Sequence, residues 1–295
     1  MRFIVLATLL VTASSSGLKS VIPQGSECSI ERSAGCYGTQ RWRIGVLTMG
    51  TTKVANSVRF TSFTNELYTS KHGYTYLVER CAANTDIRHL WNDNDHYPMV
   101  WSKSLLILKH LPHYDYLLMM DGDALFINHS YSIESFIEDN WVTGASVLAQ
   151  SDCYDSTPGA FGCWNSKGLN TGILLVKNTP DAVRFLKDWA VAPTDSRCND
   201  ILNQHPREQI CAERLLKDYK QEVVVLDTPL WRGLDGSWII HAYQSRKPTW
   251  FVQYAANTFN YILRRDNPDL YAAMRAFKED ERELPWAHHP SRDWR

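Results

Sequence analysis

Residues 117–127 read Leu117-Leu-Met-Met-Asp121-Gly122-Asp123-Ala-Leu-Phe-Ile127, two aspartates separated by one glycine inside an apolar run. An ionised carboxylate beside a core is unfavourable unless something offsets its charge, and neighbouring carboxylates also repel each other. A divalent cation is the commonest partner, because carboxylate oxygens suit Mg²⁺ and Mn²⁺. The run therefore predicts a buried strand that delivers two aspartates to a cation site.

Three other interpretations of the aspartate pair are weaker. Asp-Gly favours a type I′ hairpin turn, but the flanking runs do not alternate as in a half-buried hairpin, and this alternative stays open. A calcium loop needs an acid or amide at its fifth position and glycine at its sixth, where this chain has Leu125 and Phe126. A phosphatase with an aspartyl nucleophile normally opens its domain with such a strand, whereas this pair lies more than a hundred residues in.

Apolar periodicity around this run predicts alternating strands and helices. The predicted strands cover residues 43–50, 74–78, 116–120, 145–149, 172–176 and 223–226. The predicted helices cover residues 58–71, 98–111, 132–139, 180–189 and 208–219. This order indicates an α/β fold with an open, mainly parallel sheet, helices on both faces and ligands at the carboxyl ends of the strands.

The bulk composition is that of a soluble globular protein with a sizeable core, with 44% hydrophobic and 21% charged residues in a chain of 295. The net charge of −1 gives no overall field that would attract nucleic acid or an anionic membrane. Any anion must therefore be bound by a local site. We expect one domain over residues 41–264, after a leader at 18–40 and before an irregular arm at 265–295.

Residues 1–17 have the pattern of a secretory signal peptide: a basic start, a short apolar stretch and small residues at its end. The apolar stretch is shorter than the roughly 20 residues that span a bilayer, although a signal-anchor is an alternative. We expect the protein in the secretory pathway, in the Golgi or ER lumen, or secreted.

Seven cysteines suit that compartment, and none forms a CxxC pair that would indicate zinc. The closest pairs suggest three disulfides, namely Cys28/Cys36, Cys153/Cys163 and Cys198/Cys211, with Cys81 left over. One glycosylation sequon begins at Asn128.

Five blocks follow one another in order along residues 41–250: Trp101-Ser-Lys103-Ser-Leu-Leu106; the acidic strand through Asn128; Leu169-Asn-Thr-Gly-Ile-Leu-Leu-Val-Lys-Asn178 with Phe185-Leu-Lys-Asp-Trp189; Glu208-Gln209; and His241 with Lys247-Pro248. With these blocks the chain resembles the retaining glycosyltransferases of the GT-A fold, especially glycosyltransferase family 34, the galactosyl-, xylosyl- and mannosyltransferase group, and the last block is similar to family 8 enzymes. The chain departs from the family pattern at Gly122, at Glu208, where aspartate is common, and after His241, which leaves the subfamily and the sugar open.

The resemblance assigns roles to residues of this chain. Because residues two apart in a strand face the same way, Asp121 and Asp123 can converge; by resemblance Asp121 contacts the ribose or a metal-bound water and Asp123 binds the metal. His241 would add a nitrogen ligand, which Mn²⁺ accepts more readily than Mg²⁺. Gln209 or Glu208 would stabilise the positive charge that develops on the sugar. The expected donor-binding residues are Thr48, Gly50, Lys103, Asp121, Asp123, Asn170, Gly172 and Lys247.

The resemblance implies a metal-dependent glycosyltransferase that moves a hexose or pentose from a UDP- or GDP-sugar to a glycan or glycoprotein hydroxyl, with retention. From the net charge of −1 we expect no nucleic-acid partner, and no membrane partner beyond an N-terminal anchor. The alternative is a non-catalytic glycan- or nucleotide-sugar-binding protein on the same fold. Such a protein would be marked by a damaged metal site, and both aspartates and His241 are present.

Overall fold

The computed structural model describes residues 41–49, 55–79, 99–151, 168–202, 207–226, 228, 230–231, 237–241, 261, 264–265, 268 and 272. These residues belong to two compact units, one spanning Glu27–Val252 and the other joining Met1–Ser26 with Gln253–Arg295. In the second unit, the guanidinium of Arg265 lies 5.6 Å from the centre of the Tyr261 ring. Within the described part of the chain, every helix is too short or too polar to cross a membrane.

Several predictions fall outside the described residues. They are the signal segment at 1–17, the leader at 18–40, Gly50, Lys247 and the five cysteines other than Cys198 and Cys211.

The first unit alternates strands and helices, as the sequence predicts. Its strands are β1 (Ile44–Met49), β2 (Thr75–Glu79), β3 (Tyr116–Asp121), β4 (Ala124–Phe126), β5 (Val147–Ser151), β6 (Leu169–Lys177), β7 (Val223–Leu226) and β8 (Ile239–His241). Its α-helices are α1 (Ala55–His72), α2 (Lys103–His110), α3 (Ile133–Asn140), α4 (Pro180–Val191) and α5 (Arg207–Leu215).

Helix ends follow local chemistry. The hydroxyls of Ser132 and Thr179 accept hydrogen bonds from backbone N–H groups in the first turns of α3 and α4. Helix α1 ends at Gly73, whose φ of 74° suits glycine. The helix predicted at 98–111 is interrupted, because a 3₁₀ turn at Met99–Ser102 precedes α2. The last predicted helix is shorter than expected, ending at Leu215.

Six strands form the main sheet in the order β2-β1-β3-β6-β5-β7. Neighbouring strands are parallel except for β6, which runs antiparallel to β3 and β5. The expected open, mainly parallel sheet is therefore confirmed. Because β6 is reversed, its first residues lie at the same edge as the last residues of β3 and β5.

Hydrophobic packing covers both faces of this sheet. Alternate residues of β3 point to opposite faces, with Leu117 and Met119 packing towards α2, α4 and α5. Leu118 and Met120 pack on the other face, towards α1 and α3. Strands buried on both faces read as continuous apolar runs, which explains the unbroken run before Asp121. The prediction of helices on both faces is confirmed.

A second, two-stranded sheet was not predicted. It pairs β4 with β8 in antiparallel register, so that Ala124 lies opposite His241 and Phe126 opposite Ile239. In the described ladders, β3 pairs with β1 and β6, and β4 pairs with β8. The hairpin alternative for Asp-Gly-Asp is therefore wrong, because the two halves of the run belong to different sheets.

Candidate metal centre

The three predicted metal ligands converge at the edge where β3 ends. One oxygen of Asp121, one of Asp123 and a ring nitrogen of His241 all lie within 4.8 Å of one another. The Nε2 atom of His241 is 3.3 Å from Asp123 Oδ1 and 3.7 Å from Asp121 Oδ2. The two aspartates do not share a strand as expected, since Asp121 ends β3 and Asp123 lies in the turn that follows. We expected the alternation of side chains along one strand to bring the two aspartates together, but the turn after β3 does so.

These distances fit a six-coordinate cation. Ligand atoms about 2.1 Å from an ion and at right angles to each other are roughly 3 Å apart, close to the observed spacing. Two carboxylates with one imidazole suit Mn²⁺ better than Mg²⁺. Three protein ligands also leave coordination positions for the oxygens of a substrate.

Helix α1 fixes the turn that carries Asp123. Thr61 donates a hydrogen bond from Oγ1 to the carbonyl of Gly122, at 2.8 Å. Asn65, one turn later, donates to the carbonyl of Ala124 and accepts from the N–H of Phe126, both at 3.1 Å. Both side chains are fully buried. Sequence reasoning missed this pair, although a spacing of four on the buried face of a helix is a usable signal.

The imidazole of His241 lies directly against the backbone of β6. A methyl group built on Gly172 would be 1.9 Å from Cε1 of His241 and 2.7 Å from each ring nitrogen. Only glycine leaves room for this ring in its observed position. On the ring's other nitrogen, Nδ1 lies 3.3 Å from Oε1 of Gln150, the penultimate residue of β5.

Strand β6 is irregular where it passes the site. Ala149 of β5 lies opposite Leu174, but the next residue, Gln150, lies opposite Asn170. The side chain of Asn170 accepts a hydrogen bond from the N–H of Gly172 at 2.7 Å, inside this irregular segment. Asn170 therefore shapes the strand, and its predicted contact with a donor sugar stays a prediction.

Lys103 forms ion pairs with two carboxylates, those of Asp121 and Glu208. Its ammonium, on a side chain only 3% exposed, lies 2.8 Å from Asp121 Oδ1 and 3.2 Å from Glu208 Oε1. It also lies 3.5 Å from the hydroxyl of Thr171. Burial lowers the pKa of Lys103, but the two carboxylates outweigh burial and raise this pKa above its ordinary value. Lys103 is therefore a fixed positive charge.

The two aspartates differ in their electrostatics. Burial raises the pKa of Asp121, although Lys103 and His241 oppose this effect. Burial acts in the same direction on Asp123, but the attraction and hydrogen bond of His241 outweigh it and lower the pKa of Asp123. A bound cation would favour the ionised form of both groups.

Glu208 and Gln209 come from the first turn of α5. The carbonyl of Glu208 accepts a hydrogen bond from the indole of Trp189 at 3.0 Å, and its side chain binds Lys103. The predicted disulfide Cys198–Cys211 is confirmed and ties α5 to the segment before it. Lys103 thus links Glu208 to Asp121, and the neighbouring Gln209 is half-buried.

Thr48 is the penultimate residue of β1. Its side chain is fully buried, and its hydroxyl accepts a hydrogen bond from Tyr76 at 3.2 Å. Its predicted role in a base and ribose pocket stays a prediction.

A family model described as nucleotide-diphospho-sugar transferase matches residues 62–274 of the chain. Among solved structures, 219 chains match. One is a glycosyltransferase involved in the glycosylation of the major capsid of PBCV-1, with 18% identity, a TM-score of 0.54, and coverage of 72% of this chain and 98% of its own. No curated protein sequence matches.

Two further solved structures are less similar. The galactosyltransferase LgtC in complex with donor and acceptor sugar analogues has 11% identity and a TM-score of 0.45, over 72% of this chain and 94% of its own. Mouse xyloside xylosyltransferase 1 has 14% identity and a TM-score of 0.42, over 71% and 92%. The family match and the PBCV-1 likeness confirm the expected α/β GT-A fold.

Proposed function

Because the chain belongs to the nucleotide-diphospho-sugar transferase family, we propose that it transfers a hexose or pentose from a UDP- or GDP-sugar to a hydroxyl of a glycan or glycoprotein. The observation that carries this proposal is the convergence of Asp121, Asp123 and His241 at the carboxyl end of β3. Two carboxylates and an imidazole at one point suit a divalent cation that can bind a diphosphate. Donor, acceptor and metal dependence are all part of the proposal.

Asp121, Asp123 and His241 would hold Mn²⁺, with Mg²⁺ as the alternative. When bound, the cation neutralises charge on the diphosphate as the sugar–phosphate bond breaks. The protein itself contributes rigidity, because the ammonium of Lys103 fixes the Asp121 carboxylate through an ion pair. Thr61 of α1 holds the carbonyl of Gly122, next to Asp123. Ligands that are fixed before substrate arrives need little reorganisation during the reaction.

We further propose that transfer retains the configuration of the sugar, as in family 34. The acceptor hydroxyl would attack from the side of the leaving group, and the departing phosphate oxygen would take its proton. Gln209 or Glu208 would stabilise the oxocarbenium-like transition state from the opposite side. The contact between Lys103 and Glu208 supports a role for Glu208, because the same ammonium also contacts the proposed metal ligand Asp121.

The remaining donor contacts are proposed by resemblance. Thr48 and Gly50 would line the base and ribose pocket at the end of β1. Asn170 and Gly172 would lie beside the donor sugar, and Lys247 would add positive charge at the diphosphate.

We propose that the protein acts in the secretory pathway or after secretion. The disulfide Cys198–Cys211 supports this, because disulfides persist in oxidising compartments. The signal-like pattern of residues 1–17 points the same way. Cell fractionation with a C-terminally tagged chain tests this proposal, and a cytosolic location would contradict it.

The activity is tested by incubating the protein with Mn²⁺ and a panel of UDP- and GDP-sugars, with and without simple glycoside acceptors. Released nucleoside diphosphate is measured, and NMR of the product gives the anomeric configuration. We expect release with at least one donor, loss of release in EDTA and recovery with Mn²⁺. Release with none of the donors would favour the non-catalytic alternative.

A matched pair of variants locates the activity. Asp123→Ala removes a proposed metal ligand, so we expect turnover to fall by about a hundredfold or more. Asp115→Ala removes an aspartate just before the opposite end of β3, where its partner is the exposed Arg43. We expect Asp115→Ala to keep its turnover, and equal turnover of the two variants would refute metal binding at Asp123.

A further inference from the structure

The ring of His241 is held from three directions. Its Nε2 faces the carboxylates of Asp121 and Asp123. Its face lies against Gly172, where no side chain could fit. Its Nδ1 faces Oε1 of Gln150, a residue that is only 1% exposed. The first two contacts fix where the ring lies, and the third bears on which nitrogen carries the proton.

A histidine can bind a metal through Nε2 only when that atom offers a lone pair. In a neutral imidazole the proton must then be on Nδ1, and a hydrogen-bond acceptor beside Nδ1 favours this tautomer. The amide oxygen of Gln150 is such an acceptor, 3.3 Å away. The opposite tautomer would put a hydrogen on Nε2, between two carboxylates, where it would compete with a cation.

The amide nitrogen of Gln150 gives an independent indication. It is buried and has no hydrogen-bond partner among the residues that the structure describes. Leaving a buried amide N–H₂ unpaired is unfavourable, so the nitrogen does not account for the orientation of this side chain. Within the described residues, the contact that orients the amide is the one between its oxygen and His241.

We propose that Gln150 is a positioning residue for the metal centre, which accepts a hydrogen bond from Nδ1–H of His241 and so directs the Nε2 lone pair between Asp121 and Asp123. This inference rests on the proposed function, since it assumes that the three ligands bind a divalent cation. Gln150 lies at the carboxyl end of β5, opposite the irregular segment of β6. Because the register between β5 and β6 shifts at Gln150, the side chain of Gln150 lies next to the ring of His241, which packs on Gly172 of β6.

The tautomer is measured directly by ¹⁵N NMR of protein labelled at histidine nitrogens, without metal and with Mg²⁺. The His241 signals are assigned as those lost in His241→Ala. We expect the protonated nitrogen to be Nδ1, with Nε2 unprotonated, and Gln150→Met to abolish this preference. A wild-type ring protonated at Nε2 in the presence of Mg²⁺ would overturn the proposal.

Metal affinity is measured with Mn²⁺ alone by electron paramagnetic resonance, in wild type, Gln150→Met, His241→Ala and the double variant. Methionine keeps the length of the side chain but accepts no comparable hydrogen bond. We expect Gln150→Met to weaken Mn²⁺ binding by about 10–100-fold, as for other residues that orient a metal ligand. In the His241→Ala background, the same substitution should change nothing further.

Two results would overturn the inference: Mn²⁺ binding of Gln150→Met within about threefold of wild type, or an equal loss when His241 is already absent. Absence of Mn²⁺ binding in the wild type would instead contradict the proposed function. The two failures are therefore distinguishable.

Discussion

Gly172 is the residue whose identity the site constrains most narrowly. The ring of His241, which comes from a different sheet, fills the space that a side chain at position 172 would need. An imidazole ring that packs on backbone cannot adjust to a larger neighbour without leaving its position. This close approach requires glycine for space, since Gly172 is not among the described glycines with positive φ.

Gly172→Ala should displace His241, because the added methyl would lie 1.9 Å from Cε1. We expect Mn²⁺ affinity, measured by electron paramagnetic resonance, to fall at least about tenfold. Gly144→Ala is the control, since nothing lies within 4 Å of its added methyl although its φ of +86° strains alanine. The control should lose about 1 kcal/mol of unfolding free energy and keep its affinity. Equal affinity of both variants would refute the role of Gly172.

Lys103→Met should destabilise the protein by about 3 kcal/mol, because it leaves the buried Glu208 and the partly buried Asp121 without their cation. Denaturant unfolding measures the change. Combining Lys103→Met with Glu208→Gln removes one of the stranded charges and should recover part of the loss. A double variant that is less stable than the sum of the two single changes would contradict this account.

At this scale the sequence predicted which ligands meet but only part of how they meet. Asp121, Asp123 and His241 were named from the resemblance, and they converge. The reason differs, because Asp123 lies in a turn. Gln150 and Thr61 were missed. Gln150 is a polar residue in an apolar strand and Thr61 is one of many polar residues in α1, and neither pattern shows whether the side chain faces a site or the core.

Among the elements, α1 and β4 form the unit that positions the acidic turn. Asn65 uses both ends of its amide on the backbone of β4, and Thr61 binds the turn itself. Tyr68 of the same helix stacks on Phe126 of β4, with ring centres 3.6 Å apart. The helix therefore replaces a neighbouring strand along one side of β4.

Asn65→Leu should cost on the order of 2–4 kcal/mol, because it leaves a buried carbonyl and a buried N–H without their partner. Thr64→Val is the control on the same helix, as its hydroxyl is equally buried and, in the described part of the chain, has no hydrogen-bond partner. We expect the control to be neutral or slightly stabilising in denaturant unfolding. Similar losses in both variants would show that burial, and not the amide contacts, sets the cost.

Helices and strands were predicted correctly where they are long enough to show the spacing of their apolar residues. Helix α1 and the six strands of the main sheet were found within a few residues. Strands β4 and β8 have three residues each, too few to show alternation, and they were missed. The 3₁₀ turn before α2 shares the apolar spacing of a helix, so the sequence merged the two.

For the molecule as a whole, the main sheet brings Asp121, Gln150 and Gly172 to the same end. Parallel β3 and β5 end there, and reversed β6 begins there. The sequence predicted the mainly parallel sheet from the alternation of strands and helices. It could not predict the reversal of β6, because strand direction depends on how the strand is connected to the one before it and not on the pattern within the strand.

Stability of the whole fold should depend on Glu79 at low pH. A hydrogen bond from His110, at 2.6 Å, lowers the pKa of Glu79 from 4.5 to about 2, against the opposing effect of burial. A lowered pKa stabilises the folded state above pH 4.5, and this contribution disappears as the pH falls towards 2. Glu79→Gln should therefore cost roughly 3 kcal/mol of unfolding free energy at pH 6 and progressively less below pH 4.5. A difference that stays constant from pH 6 to pH 3 would contradict this assignment.

The central claim is that Asp121, Asp123 and His241 hold a divalent cation through which the protein binds a nucleoside diphosphate. Isothermal titration of UDP and GDP, with Mn²⁺ and in EDTA, tests it most directly. We predict that at least one nucleotide binds in Mn²⁺, that EDTA abolishes binding, and that Asp123→Ala does the same while Asp115→Ala does not. Binding of equal strength in EDTA, or in Asp123→Ala, would contradict the claim.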